Sequence, residues 1–543
     1  MNLSNKANGK KRKREAHRDK RDVSSTKTAF TSSTSSLFLT PQDPGFEDHV
    51  SDHYQGFVHC SVDDLQPLDF HQRSRAALER LRDANYYQYD IVMAGGKHSS
   101  RTFVKRTLVG NPGITYKYLG LRLFAHAWSG PGVTPVMKSI GEMNQQMIRM
   151  TENLPNHQKC EYNLTLINYM EPTAKTKVGF KEEANYGMGK VSVSWHADSS
   201  LQSGSSIGVY HCLPTQKSSK WDWRIALRPS PEVDSPSKHA KPVVVNTKDG
   251  DAYFLLGNFN ETHQHCVLAG SQSNRISSTH RVAVTEEDTY DYILKRVKIA
   301  RKRFRLQMEG LEGSSNSSLD AKVIRYCQRV LTEVESEWIA QYWLQGAQHN
   351  VMHVWWQRPM KTLEAYWRAL ESATFKLYHH LLRDKKNSKN NTDVIRVLVN
   401  EFKTRQAVRQ QWDERRADKI YQRRIVEEYR PVARPIFGQG GANPKGDDEG
   451  SLPKDLTSSI QSLQEIIGKK QQGGSSTKPA DSNQNSVGTL KPEESKVIAA
   501  AGTDVADKAK ATHDSTSERA STTHDSNPKK KRKKSKKKNK KKQ

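Results

Sequence analysis

No apolar run of about 18 residues occurs in the chain, so a membrane-spanning helix is excluded. No apolar core follows the basic N-terminus, and a secretory signal is not expected. Cysteine is scarce: Cys60, Cys160, Cys212, Cys266 and Cys327 are far apart, odd in number and never in CxxC spacing. That excludes a disulfide scaffold and a zinc finger, and suits a reducing compartment. Hydrophobic residues are few as well, 34% of the 543 residues, with a mean hydropathy of −0.84. A wholly folded chain would carry more, so part of it is expected to be disordered. Phe, Trp and Tyr are all missing after Phe437, which marks the end of the main globular body. Residues 528–543 contain no acid at all.

What is present is positive charge, +28 overall. Residues 1–22 carry +6 and residues 528–543 carry +12, while 438–527 carry −3 and the body between 23 and 437 carries +13. The clusters KKRKR (10–14) and KKKRKK (529–534) read as nuclear import signals or nucleic-acid arms. The expected address is therefore the nucleus, with the import machinery as a partner. The Ser/Thr run at 24–36 reads as a linker, and ordered structure is expected from Phe38–Pro41.

The texture then changes once. Between 100 and 290, short β-rich runs broken by Gly, Pro and Asn recur without intervening helix patterns: YNLTLINYM (162–170), KVSVSW (190–195), SSIGVYHC (205–212), KPVVVN (241–246), DAYFLL (251–256) and HRVAV (280–284). They predict an antiparallel sandwich or jelly roll. Residues 63–92 read as helical, through Leu65, Ala76, Leu78 and Leu81. From about 290 the pattern is helical, with Leu363, Tyr366, Trp367 and Leu370 at i, i+3, i+4, i+7. Six of the ten tryptophans lie in this part, and a bundle core accounts for them better than a ligand site does. Leu456, Ile460, Leu463 and Ile467 predict one more short helix, at about 455–469, docking back onto the body.

The chemistry begins at Trp195-His196-Ala197-Asp198. Residues two apart on a strand share a face. His196 and Asp198 can thus offer one imidazole and one carboxylate to a single ion, two-thirds of the facial triad of non-haem Fe(II) oxygenases. His263, His265 and His280 are candidates for the third ligand. Arg275 follows His265 by ten residues and Arg281 follows Arg275 by six. A planar, always-charged fork there suits the far carboxylate of a dicarboxylate co-substrate. His280 fits poorly, since only Arg281 follows it closely.

The segments LVGNPGITYKYL (108–119), YNLTLINYMEP (162–172), YGMGKVSVSWHAD (186–198), THQHCVLAGSQSNRISSTHRVA (262–283) and EVESEWIAQYWLQG (333–346) resemble the fat-mass-and-obesity-associated protein family over roughly 38–470. These are AlkB-related Fe(II)/2-oxoglutarate-dependent nucleic-acid demethylases. The resemblance implies an α+β fold, a double-stranded β-helix (jelly-roll) dioxygenase domain followed by an all-α C-terminal domain, with disordered basic termini. The implied bounds are 1–37 for a disordered basic N-terminal tail, 38–300 for the jelly roll, 301–470 for the helical domain and 471–543 for a disordered tail with a Lys-rich end.

It also implies roles. His196, Asp198 and His265 would be the catalytic metal ligands, with Fe(II), 2-oxoglutarate and O2 as cofactor and co-substrates. Arg275 would take the 2-oxoglutarate carboxylate, with Arg281, Tyr253, Asn168 and Ser277 completing that site. Arg106, Tyr116, Tyr118 and Trp195 would hold the base, Trp195 bringing an indole close to the iron. Ser199 stands where the family has a Glu that helps read the base, and Ala197 where it has a His between the ligands. Ser can donate or accept but carries no charge, so iron chemistry is expected to survive and base preference is the open term.

The implied activity is oxidative removal of N-methyl groups from nucleobases. N6-methyladenine in single-stranded RNA is the first choice, RNA ranks ahead of DNA, and no membrane is involved. The alternatives are an AlkB-type DNA-repair dioxygenase for N1/N3-methylated bases and a catalytically inactive nuclear nucleic-acid-binding scaffold. A protein hydroxylase on the same fold leaves the base-pocket set without a purpose.

Overall fold

The computed structural model describes residues 37–94, 98–118, 120–155, 160–175, 180–214, 222–313, 319–342, 354–383, 391–417, 452–453 and 455–472. The terminal basic clusters, the 24–36 linker and nearly all of both expected tails lie outside the described residues.

Helix α1 (Phe46–His53), strand β1 (Phe57–Cys60) and helix α2 (Phe70–Asp83) lead into strands β2 (Gln88–Ala94), β3 (His98–Gly110), β4 (Thr115–Tyr118), β5 (Leu121–Phe124) and β6 (His126–Ala127). Helix α3 (Pro135–Glu152) precedes β7 (Leu164–Met170), β8 (Val191–His196), β9 (Ile207–Cys212), β10 (Arg224–Pro229), β11 (Val243–Asn246) and β12 (Ala252–Leu255). The short helix α4 (Phe259–Thr262) turns into β13 (His263–Leu268), followed by β14 (Arg275–Arg281). From there the chain is helical: α5 (Tyr290–Gly313), α6 (Ala321–Glu333), a π-helical segment (Val334–Ala340), α7 (Val354–Arg383), α8 (Thr392–Ala417) and α9 (Thr457–Gln472).

The major sheet runs β1-β12-β9-β14-β7-β3-β2, with β6 added parallel to β3. The minor sheet runs β11-β10-β13-β8, and β4-β5 form a separate hairpin. The two sheets make the jelly roll. Alternation along each strand sorts its residues. Val104, Met170, Val209, Tyr253 and Leu255 face inward and pack with Ile225, Leu227, Val243 and Val267 of the minor sheet. Their neighbours Ile167, Tyr210, Phe254 and Ile276 face out under α2 and α3. Each fully buried Val, Leu or Phe side chain of this kind contributes roughly 1.5–3 kcal/mol.

Three local expectations need correction. Within residues 63–92 only α2 is α-helical, after a 3-10 turn at Val62–Asp64; from Gln88 they are strand β2, paired with β3. The run 280–284 is the tail of a strand that begins at Arg275. Helix α3 interrupts the β-rich region, started by Pro135 in its first turn and by the Thr134 hydroxyl accepting from Met137 N. The strands expected around 162–170, 190–195, 205–212, 241–246 and 251–256 are present, and so is the helix expected near 455–469.

The helical part packs around Ile293, Phe304, Leu331, Trp338, Trp356, Leu363, Trp367 and Phe402, joined by Leu456 and Leu463 of α9. Of the six late tryptophans, Trp338, Trp356 and Trp367 are buried there, as a bundle core requires. The bundle reaches the jelly roll through the β4-β5 hairpin. Phe124 meets Trp338 and Trp356 edge-on, and the Trp356 indole donates to the Ala125 carbonyl at 2.8 Å. Among the described residues no helix is long and apolar enough to cross a membrane.

Candidate metal centre and co-substrate pocket

The minor sheet supplies two imidazoles. His265 and His196 are direct cross-strand partners on β13 and β8, so both face into the roll. Their ring centroids are 4.2 Å apart. Asp198 follows just beyond the end of β8, and one ligand atom from each of the three lies within 4.8 Å of the others. His263 is not among them. It stacks on Phe259 and contacts the His53 carbonyl. His280 is buried against Asn144 and Ser278 on the outer face of the major sheet.

The surrounding groups aim these three. His196 Nδ1 donates to the Ser194 carbonyl at 2.8 Å, which leaves the Nε2 lone pair for an ion. Asn260 on α4 clamps Asp198 from both sides: its Oδ1 accepts from the Asp198 amide, and its Nδ2 donates to the Asp198 carbonyl, each at 2.8 Å. Arg281 Nη2 donates to Asp198 Oδ1 at 2.8 Å. Burial works to raise the Asp198 pKa, but Arg281, His265 and His196 outweigh it and hold the carboxyl below its ordinary value. Burial, with His196 beside it, drops His265 to about 3, so it is a neutral ligand at physiological pH.

The major sheet supplies the cations. Arg275, Ser277 and Arg281 are spaced by even numbers along β14 and share its inner face. Ser277 pairs across to Asn168 on β7, and Asn168 pairs on to Arg106 on β3. Tyr253 joins the same face through β9 and β12. Strand register thus assembles residues from 106 to 281 into one wall. Arg275 is 1% exposed; its Nη1 donates to Ser277 Oγ at 3.2 Å, and the same guanidinium interacts with the Tyr253 phenol.

Two residues that hold the site are not legible in the sequence. Asn260, on α4, is one. The other is His211, opposite Ser277 on β9. His211 Nε2 donates to the Lys248 carbonyl, so Nδ1 is left to accept from Arg275 Nε at 3.1 Å. Burial, then the neighbouring Arg275, lowers its pKa to about 3, and it is neutral as that acceptor role requires. A histidine on an alternating strand gives no local sign of a partner so distant in sequence.

The base-pocket residues divide. The Arg106 guanidinium lies 4.2 Å from the Tyr118 ring centroid and ion-pairs with the buried Asp90 at 2.9 Å. The Tyr116 hydroxyl donates to the Ser199 carbonyl at 2.8 Å, and its ring lies 5.5 Å from Arg281. Tyr116 and Ser199 therefore border the metal-ligand cluster, and Arg106 stacks on Tyr118, two residues farther along the same strand as Tyr116. Trp195 does not border it, and the expectation of an indole beside the ion is corrected. Adjacent residues on a strand point to opposite faces, so the neighbour of His196 must point away from it. The Trp195 indole sits on the outer face of the minor sheet, donating to Glu183 Oε1 at 2.9 Å under the Arg228 guanidinium.

Among the described residues, three buried polar atoms around the cluster have no hydrogen-bond partner: Asp198 Oδ2, Arg275 Nη2 and Arg281 Nε. A buried orphan costs about 1–3 kcal/mol, more if charged. A cation at the two imidazoles and the carboxylate would engage the first, and an anion beside it the Arg275 atom. Two imidazole nitrogens and one carboxylate oxygen suit Fe(II), and a buried guanidinium suits a dicarboxylate. The residues fit both groups.

Comparison with known proteins agrees. The FTO catalytic domain matches residues 44–157 and 136–284, and the FTO C-terminal domain matches residues 288–465. The alpha-ketoglutarate-dependent dioxygenase FTO of Xenopus laevis is 28% identical over 458 residues, 74% of this chain and 87% of its own. Similar solved structures include a prolyl hydroxylase from Trichoplax adhaerens bound to a peptide of hypoxia inducible factor. It shows 9% identity, a TM-score of 0.28, and covers 44% of this chain and 86% of its own. A 2OG-Fe(II) oxygenase from Burkholderia pseudomallei shows 15% identity, a TM-score of 0.26, and covers 45% and 92%.

Proposed function

The chain belongs to the FTO family, as an Fe(II)- and 2-oxoglutarate-dependent dioxygenase, and on that premise we propose that it oxidatively removes N-methyl groups from nucleobases. The observation that supports the reading is the chain of contacts leading out from the cluster: Arg281 bonds Asp198 and lies over Tyr116, and Tyr118, two residues on along the same strand, lies under Arg106. A cationic donor and two phenol rings are what a base turned out of its stack requires. N6-methyladenine in single-stranded RNA is the first choice, because an unpaired base costs least to extrude. A nuclear location, reached through the two terminal basic clusters, belongs to the same reading.

In this reading His196, Asp198 and His265 hold the iron, and Arg275 with Ser277 and Tyr253 holds the far carboxylate of 2-oxoglutarate. Bound iron with its two co-substrates supplies the oxidation: O2 and 2-oxoglutarate convert N–CH3 to N–H, formaldehyde, succinate and CO2. The chain's own residues do the rest. Arg281 and Asn260 hold Asp198 ionised and in place. Asn168, between Ser277 and Arg106, ties the co-substrate wall to the base pocket. Tyr116, bonded to the Ser199 carbonyl, braces the loop that carries Asp198. Preorganisation of this kind, not a new chemical group, is the protein's contribution.

The deciding experiment is mass spectrometry of a methylated-oligonucleotide panel, with Fe(II), ascorbate and 2-oxoglutarate present or omitted. Loss of the methyl group from N6-methyladenine in RNA is expected only with Fe(II) and 2-oxoglutarate present, and more slowly without ascorbate, which keeps the iron reduced. Clearance of N3-methylpyrimidines with N6-methyladenine untouched sinks the first choice and leaves the AlkB-type alternative. No demethylation of any base, with binding retained, leaves the inactive scaffold.

His211 gives a second expectation. Its Ala variant removes the acceptor that orients the Arg275 guanidinium, and a hydrogen bond to a charged group is worth about 1.5–3 kcal/mol. The Kd for 2-oxoglutarate, measured by calorimetry with Mn(II) under nitrogen, is expected to rise on the order of tenfold. Binding of 2-oxopentanoate, which lacks the far carboxylate, is expected to change little. Equal weakening of both acids means His211 acts on the fold and not on Arg275.

A further inference from the structure

Helix α5 carries seven Lys or Arg within residues 295–305 and no acid in that span. Lys295, Lys298, Arg301, Lys302, Arg303 and Arg305 are exposed. Lys295, Lys298, Lys302 and Arg305 recur at i, i+3, i+7, i+10, so they form one line along the solvent side, about 15 Å long at 1.5 Å per residue. The opposite side, Ile293, Val297, Ala300 and Phe304, is buried in the bundle core. Among the described residues, Arg296 pairs with Glu333 and Arg305 with Glu309, while Lys295, Lys298 and Lys302 have no carboxylate partner.

The arrangement works against the helix that bears it. Like charges at Lys298/Lys302 and Arg301/Arg305 are i, i+4 neighbours, and each such pair is destabilising by about 0.2–0.5 kcal/mol. A bound polyanion would reverse the sign of that term. A membrane surface is the poorer occupant: a basic amphipathic helix binds lipid by inserting its apolar side, and here that side is already covered by the bundle. Position favours the nucleic acid. The Tyr290 amide donates to the Gly113 carbonyl at 2.8 Å, and Thr115 N donates to the Asp288 carbonyl at 2.9 Å. The helix therefore springs from the start of β4, the strand of Tyr116 and Tyr118, and carries its cations away from the pocket.

We propose that the Lys295/Lys298/Lys302/Arg305 line of α5 binds the phosphate backbone of the single strand whose methylated base enters the pocket. It rests on the reading above, and adds to it a second, sequence-independent attachment made by the helical domain. The line sets how tightly a long strand is held and leaves the choice of base to the pocket.

The test uses the full chain and its Lys295→Gln/Lys298→Gln/Lys302→Gln variant, so that the terminal basic clusters are common to both. Fold integrity is not at stake, since the change removes repulsion on an exposed face. For single-stranded RNA of about 20 nucleotides, long enough to reach beyond the pocket, a roughly tenfold weaker Kd at low salt is expected. The slope of log K against log salt should fall by about 2, at about 0.7 for each phosphate no longer neutralised. KM for a methylated dinucleotide should not move, and Lys→Arg at the same positions should restore the long-strand affinity. An unchanged Kd and slope for the long RNA overturns the surface while the demethylase reading stands. Loss of binding to anionic vesicles or polyglutamate, with RNA binding intact, also overturns it, in favour of those partners. If neither protein binds RNA or demethylates any base, surface and reading fall together.

Discussion

Replacing His265 with alanine is expected to abolish metal binding at physiological pH and to lower turnover by at least about a hundredfold. Groups that only support metal ligands already cost about 10- to 100-fold when removed, and His265 is placed to be a ligand itself. What remains in the variant is one imidazole and one carboxylate, and Asp198 is already engaged by Arg281 on Oδ1. The readout need not depend on catalysis. With Mn(II) at about a hundred times its Kd, the parent should gain about 2.7 kcal/mol of stability, and the variant none. His263→Gln serves as the control, because its ring packs on Phe259 outside the cluster. Loss of metal-dependent stabilisation in the His263 variant, with His265→Ala unaffected, would falsify the ligand set.

Two-thirds of that triad is legible because its chemistry is local. His196-x-Asp198 and the distance from His265 to Arg275 are spacings along one chain, and strand parity converts them into shared faces. The remainder of the wall depends on register. Asn168 stands between Ser277 and Arg106 only because β7 pairs with both β14 and β3 at those residues, and no local pattern encodes which strands meet. His211 is invisible for the same reason, and Asn260 because only the fold brings α4 against Asp198. The Trp195 expectation fails on parity, the rule that serves His196 and Asp198: nearness in sequence to His196 places the indole on the wrong side of β8.

The fold shows the same division. Short strands with β-branched residues and the late helices are readable from composition and period. Helix α3 is not, because its buried side mixes Met137, Ile140, Met143 and Met147 with Asn144 and Thr151. The two polar residues break the apolar stripe, yet they belong there: Asn144 donates to the Tyr162 carbonyl at 2.9 Å and Thr151 to the Met147 carbonyl at 2.8 Å. Strand β2 reads as helix for a different reason. The helical reading rests on Leu65, Ala76, Leu78 and Leu81, all before β2, and pairing with β3 makes residues 88–94 extended.

The second large effect is expected far from the metal, at Arg409. Its guanidinium grips Glu335 with two nitrogens, Nη2 to Oε2 at 2.8 Å, and Glu335 also accepts from the Trp367 indole at 2.9 Å. Arg405 pairs with Glu371 at 2.9 Å beside it, and all four side chains are at most 5% exposed. Burial lifts the Glu371 pKa, whereas at Glu335 the Arg409 contact outweighs burial and holds the carboxyl below its ordinary value. Arg409→Ala therefore strands a buried charge, at a cost of about 3–5 kcal/mol. For a helical part of this size that lowers Tm on the order of 10 °C. Arg409→Met with Glu335→Leu removes both charges and should cost much less.

The consequence reaches the base pocket, because Glu335 lies in the π-helical segment that also holds the β4-β5 hairpin. The carbonyl of Glu337 accepts from Arg122 Nε at 3.1 Å, Gln341 Oε1 accepts from the Arg122 amide, and Trp338 packs on Phe124. Arg122 is paired across the hairpin with Lys117, between Tyr116 and Tyr118. Loosening this segment should raise KM for a methylated oligonucleotide in the Arg409→Ala variant below its Tm, while the Kd for Mn(II) stays near the parent value. If the two constants change together, the helical domain supports the whole roll. If KM rises alone, it is the scaffold of the base pocket in particular.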